Sequence, residues 1–478
     1  LTHHLYLPKL YNFNGSMYEI HDLIHSYYPG NLEILYRYAL QIGPDNLPKF
    51  IHMVFGCAIA WLIYLHLKNR IGRNWGLLGS LLFISTPIVI HLTTSAYVDL
   101  GLTFFTIASL MLLLRWRSDQ KLIYLLGSAI FAGLSAGTKY NGLITLFLIC
   151  GFLPFLAPKR FKQKDILLAA LFLFSLSILV LSPWFIRNFL WTNNPVYPLF
   201  NSIFNPEQSI NPAKGMNPLI TRMMIYKEGY LEILLIPLRI FFQGQDNNPR
   251  YFDGVLNPFI LIFSLLLFLP STKTNVTDRG SEIKIILWFV LLFCLITFLQ
   301  RVTRIRYIVP ILPFLIILMC YGLYTFNEVI KARFSSRAAQ ITVCVSILFS
   351  LLFNANYLYQ HFLKHKPFDY LSGDVTRSDY ISIFWPEYKV IEFINKTSSK
   401  ETRILAVFLG NRGYYFDRPV SFDLRLGQSW LCNLVRKHQS PTSVALELQE
   451  NGYTHLLVRI DLFQQWCNNK LSHNELKR

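Results

Sequence analysis

One carboxylate and a handful of cations stand out for where they sit. Asp99 closes the run Ser-Ala-Tyr-Val-Asp at residues 95–99, just ahead of an apolar block. A carboxylate at such a boundary can take the proton of a hydroxyl nucleophile. It can equally cap a helix at the water interface. Arg301, Arg304 and Arg306 lead into Tyr307 and another apolar block. Arginine grips two oxygens of one anion at once, and charge held against hydrocarbon needs a partner. An anionic lipid phosphate is one such partner. Asp246, Asp253, or a headgroup reached by snorkelling, are others. Lys139 and Tyr140 interrupt a pair of apolar blocks, and Arg187 follows Ser182, Pro183 and Trp184. Each could join the same phosphate pocket or snorkel on its own.

The elements that must position these groups are membrane spans. Of 478 residues, 53% are hydrophobic and only 15% charged, with a mean hydropathy of +0.35. A soluble chain carries about a quarter charged residues. Bilayer crossings are expected at Phe50–Leu67, Gly76–Thr94, Leu100–Leu114, Leu122–Gly137 and Leu143–Ala157. Others follow at Ile166–Ser182, Val255–Leu269, Ile285–Leu299, Tyr307–Phe326 and Ile341–Leu358, about ten in all. Every second loop is basic: Lys68, Arg70 and Arg73; Arg115, Arg117 and Lys121; Lys159, Arg160, Lys162 and Lys164; Lys273, Arg279 and Lys284; Lys331, Arg333 and Arg337. Loops of that kind stay in the cytoplasm, which leaves both chain ends and the candidate residues outside. The net charge of +18 therefore serves orientation among membrane lipids, and nucleic acid is not an expected partner.

Three regions are then extracytoplasmic: 1–48, 183–254 and the tail from about His361. Within the second, Leu231–Phe242 is too short to span and carries Pro237, so it reads as an interfacial or re-entrant helix. In the tail, helical spacing at Glu387–Asn395 precedes a strand-like run at Arg403–Leu409. Ser440 and Pro441 then open a helix that Gly452 ends, and Thr454–Arg459 reads as a strand. The Gly410–Gly413 loop lacks a phosphate-binding glycine fingerprint and reads as a turn. The fold class is thus mainly α. A polytopic helix bundle over 1–360 carries a small extracytoplasmic α/β domain over 361–478. The seven cysteines show no metal-ligand spacing, and no cofactor is indicated. Cys432 and Cys467 could pair in an oxidising compartment.

Leu1–Lys9 reads LTHHLYLPK. Further runs are SAYVDL at 95–100, GLSAGTKYNG at 133–142, SPWFIRNFLWTNNPVYPLF at 182–200 and RIRYIVPILP at 304–313. In order and in side of the membrane these resemble polyprenyl-phosphate-dependent glycosyltransferases of the GT-C superfamily, the class of protein O-mannosyltransferases and the lipid A aminoarabinose transferase. The resemblance implies a multi-span core with its site on the outer face and a C-terminal extracytoplasmic domain. It implies a polyprenyl-phosphate sugar donor and a glycan, lipid or protein acceptor. Asp99 is then a catalytic carboxylate, or an auxiliary one that orients acceptor or donor where the family's main base lies upstream. Lys139, Tyr140, Arg187, Arg301, Arg304, Arg306 and Tyr307 bind substrate, and His4 and Lys9 line the acceptor path. The family places a catalytic Asp just ahead of its Tyr-His-Leu-x-Leu-Pro-Lys stretch. Here His3 stands for the Tyr, and that Asp is expected upstream of Leu1. A transporter would show matching broken spans in two halves, and none is visible. A lipid-linked polymerase or ligase shares the donor and the topology and stays open.

Overall fold

The computed structural model describes residues 3–21, 23–158, 160–206, 218–270, 277–299, 304–425, 428–438 and 440–470. Arg301, Lys159 and Lys273 lie outside the described residues. The chain divides into two compact units. One comprises Tyr28–Leu35 and Ile42–Lys364; the other comprises Leu1–Tyr27, Tyr36–Gln41 and His365–Arg478.

In the first unit, six helices among the described residues are long and apolar enough to cross a membrane. They are Leu47–Ile71, Asp99–Asp119, Gln163–Thr192, Gly280–Phe298, Val309–Arg333 and Ser336–His365. The pair Arg73–Ser85 and Pro87–Thr93, bent by 65°, would make a seventh. Its bend sits where Pro87 lacks an N–H and forces Thr86 into extended backbone, with ψ at 132°. Six or seven helices among the described residues thus meet that length and composition, and the expected count of about ten is not confirmed. The other three expected spans coincide with shorter apolar helices, Leu122–Thr138, Gly142–Leu156 and Pro258–Phe268. At 1.5 Å per residue these reach roughly 16–26 Å, less than a hydrocarbon core of about 30 Å.

Burial in this unit is inverted relative to a soluble bundle. Gln163–Thr192 exposes Leu167, Leu168, Leu171 and Leu179 while burying Ser177, whose hydroxyl donates to the Ala129 carbonyl at 2.8 Å. Apolar side chains outside and small polar ones inside suit a helix solvated by lipid. Two helices form the centre: Asp99–Asp119 and Val309–Arg333 are 78% and 83% buried over their apolar windows. Thr106 at 2.9 Å from Thr145, and Asn257 at 2.8 Å from Asn354, tie the helices where no water can. Close approach needs glycine. A Cβ on Gly133 would lie 2.6 Å from the Ser177 carbonyl oxygen, so the Leu122–Thr138 helix seats directly against its neighbour's backbone.

The second unit is built on a parallel sheet. The strands are β1 (Ile404–Val407), β2 (Val420–Phe422) and β5 (His455–Val458), in the order β2-β1-β5, with a separate small hairpin of β3 (Leu424–Arg425) and β4 (Gln428–Ser429). Central β1 is buried throughout, as a parallel strand covered on both faces must be. Alternate residues serve opposite layers. Ile404 and Ala406 pack with Tyr6, Tyr11, Trp385 and Ile391; Leu405 and Val407 pack with Leu431, Val444 and Leu448. Helices and strands of the tail fall where expected. Helices run over Tyr388–Thr397 and Pro441–Glu450, and the Ser440 hydroxyl caps the latter by accepting from the Ser443 N–H at 3.2 Å. Cys432 and Cys467 do not form a disulfide with each other.

Candidate active site

Asp99 opens the Asp99–Asp119 helix. A carboxylate in a helix's first turn gains about 0.3–1 kcal/mol from the unpaired N–H groups there. Its side chain is buried, and its Oδ1 accepts from Lys139 Nζ at 2.9 Å. The loop before it is held by His52, which nothing in the residue pattern singles out. The Leu100 N–H donates to His52 Nε2 at 2.9 Å, so that nitrogen carries the lone pair. Nδ1 then faces the Leu92 and Ser95 carbonyls at 2.9 and 3.0 Å. One neutral imidazole thereby fixes both ends of the turn that presents Tyr97 and Asp99.

Lys139 reaches Asp99 from the break between two antiparallel apolar helices, in extended backbone just after Thr138. The break is tight because a Cβ on Gly142 would strike the Ser135 carbonyl. Lys139 Nζ also lies 4.6 Å from the centre of the Tyr307 ring. The Arg304–Tyr307 segment comes in from a third side. The Arg306 guanidinium stacks over Tyr97 at 4.9 Å and Tyr307 at 5.4 Å. Burial is the largest single influence and opposes its charge, but the Asp99 carboxylate together with Tyr307 and Tyr97 outweighs it and holds the Arg306 pKa above the usual arginine value. Arg304 pairs with Asp253 at 3.3 Å, one of the alternatives open from the sequence. The Nε atoms of Arg304 and Arg306 are both buried and make no hydrogen bond among the described residues. Three cations thus meet two carboxylates around two tyrosine rings. The surplus positive charge and the unused N–H donors suit an anion.

A second network, unforeseen from the sequence, supports the third side. Arg222 donates to both Glu228 oxygens at 2.6 and 2.7 Å, and Arg239 adds a bond to Glu228 at 3.0 Å. Both guanidiniums lie over the Phe252 ring. The Phe252 carbonyl accepts from the Ile305 N–H at 2.8 Å, between Arg304 and Arg306. Burial raises the Glu228 pKa, and the arginine hydrogen bonds outweigh it, so the carboxyl sits below its ordinary value. Ile233, Leu234 and Leu238 belong to the short helices Tyr230–Leu234 and Ile236–Phe242 of the same loop; Leu234 and Leu238 are exposed, as an interfacial segment requires.

The remaining candidates make other contacts. Tyr140 donates to the Tyr197 carbonyl at 2.7 Å and accepts from Asn188 at 3.3 Å; burial pushes its phenol pKa up, so it stays a donor. Arg187 bonds Asn188 at 2.8 Å and the Tyr28 carbonyl at 3.2 Å and stacks on Trp184 and Trp191. It is a bracing residue here. Trp184 is buried, and its indole N–H donates to Asn31 at 2.8 Å. His4 and Lys9 belong to the second unit. Lys9 is spent on the Tyr414 and Phe416 carbonyls, each at 2.8 Å, and on Asp417 at 3.0 Å. His4 is buried, its ring 3.9 Å from that of His3.

Residues 26–193, which contain Asp99, Lys139, Tyr140 and Arg187, match the family described as dolichyl-phosphate-mannose-protein mannosyltransferase. The fold is similar to that of ArnT from Cupriavidus metallidurans bound to undecaprenyl phosphate. The identity is 11%, with 97% of this chain and 85% of that one covered and a TM-score of 0.50. It is also similar to the archaeal oligosaccharyltransferase AglB from Archaeoglobus fulgidus, solved with an inhibitory peptide and a dolichol-phosphate. There the identity is 12%, with 96% of this chain and 65% of that one covered and a TM-score of 0.51. The family match covers less than half of the chain, and the likeness to the two solved structures is one of fold. No curated protein sequence matches it. The GT-C resemblance read from the five sequence runs is borne out. The matched residues 26–193 supply the Asp99 and Lys139 sides of the cluster, and the Arg304–Tyr307 side comes from beyond them.

Proposed function

We propose that this chain is a membrane glycosyltransferase moving a sugar from a polyprenyl-phosphate donor to an acceptor hydroxyl on the extracytoplasmic face, with the cluster of Asp99, Lys139, Arg304, Arg306 and Tyr307 as its site. The observation that carries the reading is the pairing of Lys139 with Asp99 beside Arg304 and Arg306, whose Nε donors have no hydrogen-bond partner among the described residues. That both similar structures were solved with a lipid phosphate supports the choice of donor. In the reaction the acceptor oxygen bonds to the anomeric carbon as the bond from that carbon to the phosphate oxygen breaks. The acceptor proton passes to a carboxylate, assigned here to Asp99. The electron pair leaves on the lipid phosphate, where Lys139, Arg304 and Arg306 meet the growing charge. Lys139 holds Asp99 in place through their ion pair, and Tyr97 and Tyr307 fix the plane of Arg306.

The same reading takes all ten apolar segments as crossings, the three short helices spanning with tilted neighbours and a thinned bilayer. The basic loops then face the cytoplasm. Residues 1–360 form the embedded core with outer loops 1–48 and 183–254, and 361–478 the extracytoplasmic domain. The test is transfer by wild type and by Asp99→Asn, the full chain being reconstituted in lipid with a labelled polyprenyl-phosphate sugar. A general base contributes about 10²- to 10⁴-fold, so the variant should lose at least about a hundredfold. Full transfer by Asp99→Asn would remove Asp99 from the chemistry.

A further inference from the structure

The second unit has a cavity of about 440 Å³, within the size range of small-ligand sites. It lies at the carboxyl ends of two adjacent parallel strands. Arg412 is on the turn that follows β1, where Phe408, Gly410 and Asn411 all adopt positive φ. Arg459 follows β5 directly, and its N–H donates to the Val407 carbonyl at 3.1 Å. Open α/β sheets bind ligands at these ends, because the loops leaving the strands converge there. Glu387, Trp385, Phe384 and Val390 complete the walls.

The two arginines are not equivalent. Arg459 is committed to Glu387 at 2.8 Å and to Asp461 at 3.1 Å. Arg412 lies over the Trp385 ring at 5.7 Å, and no hydrogen bond or ion pair to its guanidinium is found among the described residues. Phe384 and Val390 keep 43% and 46% of their surface exposed, which gives the cavity an apolar wall. The site therefore offers one uncommitted guanidinium, one carboxylate that can accept from hydroxyls, and an apolar face for a ring.

We infer that this cavity binds one acidic sugar unit, its carboxylate or phosphate on Arg412, its hydroxyls on Glu387 and its ring against Phe384. As an acceptor subsite it rests on the transferase reading; as a binding site it does not. The experiment titrates the full chain in detergent by calorimetry with three probes: methyl glucuronide, glucose 6-phosphate and methyl glucoside. The two acidic probes should bind at least about tenfold more tightly than the neutral one. Arg412→Ala should weaken them about ten- to a hundredfold, the loss of one charge-assisted bond, and Arg412→Lys should recover part of it. The more tightly held acidic probe names the acidic group, and either ranking supports the site. Equal binding of acidic and neutral probes, no binding of any, or an unchanged Arg412→Ala titration would overturn it. If wild type binds the acidic probes through Arg412 yet transfers no sugar, the transferase reading falls and the binding site stands.

Discussion

Replacing Arg306 by Ala tests the phosphate role where the structure separates it from its neighbours. Arg306 is held by two aromatic faces, and its Nε has no hydrogen-bond partner among the described residues. A phosphate oxygen would gain a charge-assisted bond there, worth about 1.5–3 kcal/mol. With about 1.36 kcal/mol per tenfold, losing it in the transition state slows transfer about ten- to a hundredfold. Arg304 differs, because Asp253 already takes up part of its charge in a half-exposed pair with side chains 31% and 26% accessible. Its own Nε is also buried without a hydrogen bond among the described residues, so Arg304→Ala should slow transfer too, but less than Arg306→Ala. Arg306→Lys should recover only part of the rate, since an ammonium keeps the charge but not the planar stack. The assay is transfer of a labelled sugar at donor concentrations below KM, reading kcat/KM for each variant against wild type. Wild-type kcat/KM in Arg306→Ala would refute the reasoning. So would equal losses at 304 and 306, which would point to a general electrostatic effect.

Two further outcomes are expected. Cysteines introduced at Ser118 and Ser335 should react with an impermeant thiol reagent only after the membrane is opened; labelling of both from outside would invert the topology. Glu228→Gln leaves two buried arginines without their carboxylate, a loss of roughly 3–5 kcal/mol for breaking such a pair. Because folding lowers the Glu228 pKa, its stabilisation is complete above about 4.5, its ordinary value, and fades as pH falls through the folded value. The melting temperature of wild type should therefore fall more steeply than that of Glu228→Gln on acidification, and parallel curves would count against the triad.

What the sequence determined by itself follows from periodicity and charge, both local properties. Each apolar block became a helix, because a backbone in hydrocarbon has no other way to satisfy its N–H and C=O groups. The tail resolved into strands at Ile404–Val407 and His455–Val458 because short β-branched and aliphatic runs bounded by turn residues carry their own signal. Asp99, Lys139 and Arg306 could be singled out because an ionised group beside hydrocarbon is costly wherever it occurs. The tertiary structure alone decided what those charges do. Lys139 meets Asp99 across 40 residues of sequence, and Arg306 reaches Tyr97 from a different loop; no spacing rule links them. It also divided candidates that looked alike: Lys9 and Arg187 are consumed by carbonyls and rings, whereas Arg306 keeps a buried donor unspent. His52 and Glu228 were invisible beforehand because a single His or Glu takes its role from whichever distant backbone or guanidinium the fold brings to it. Side-chain identity sets what a residue can bond, and only packing sets which of those bonds are already taken.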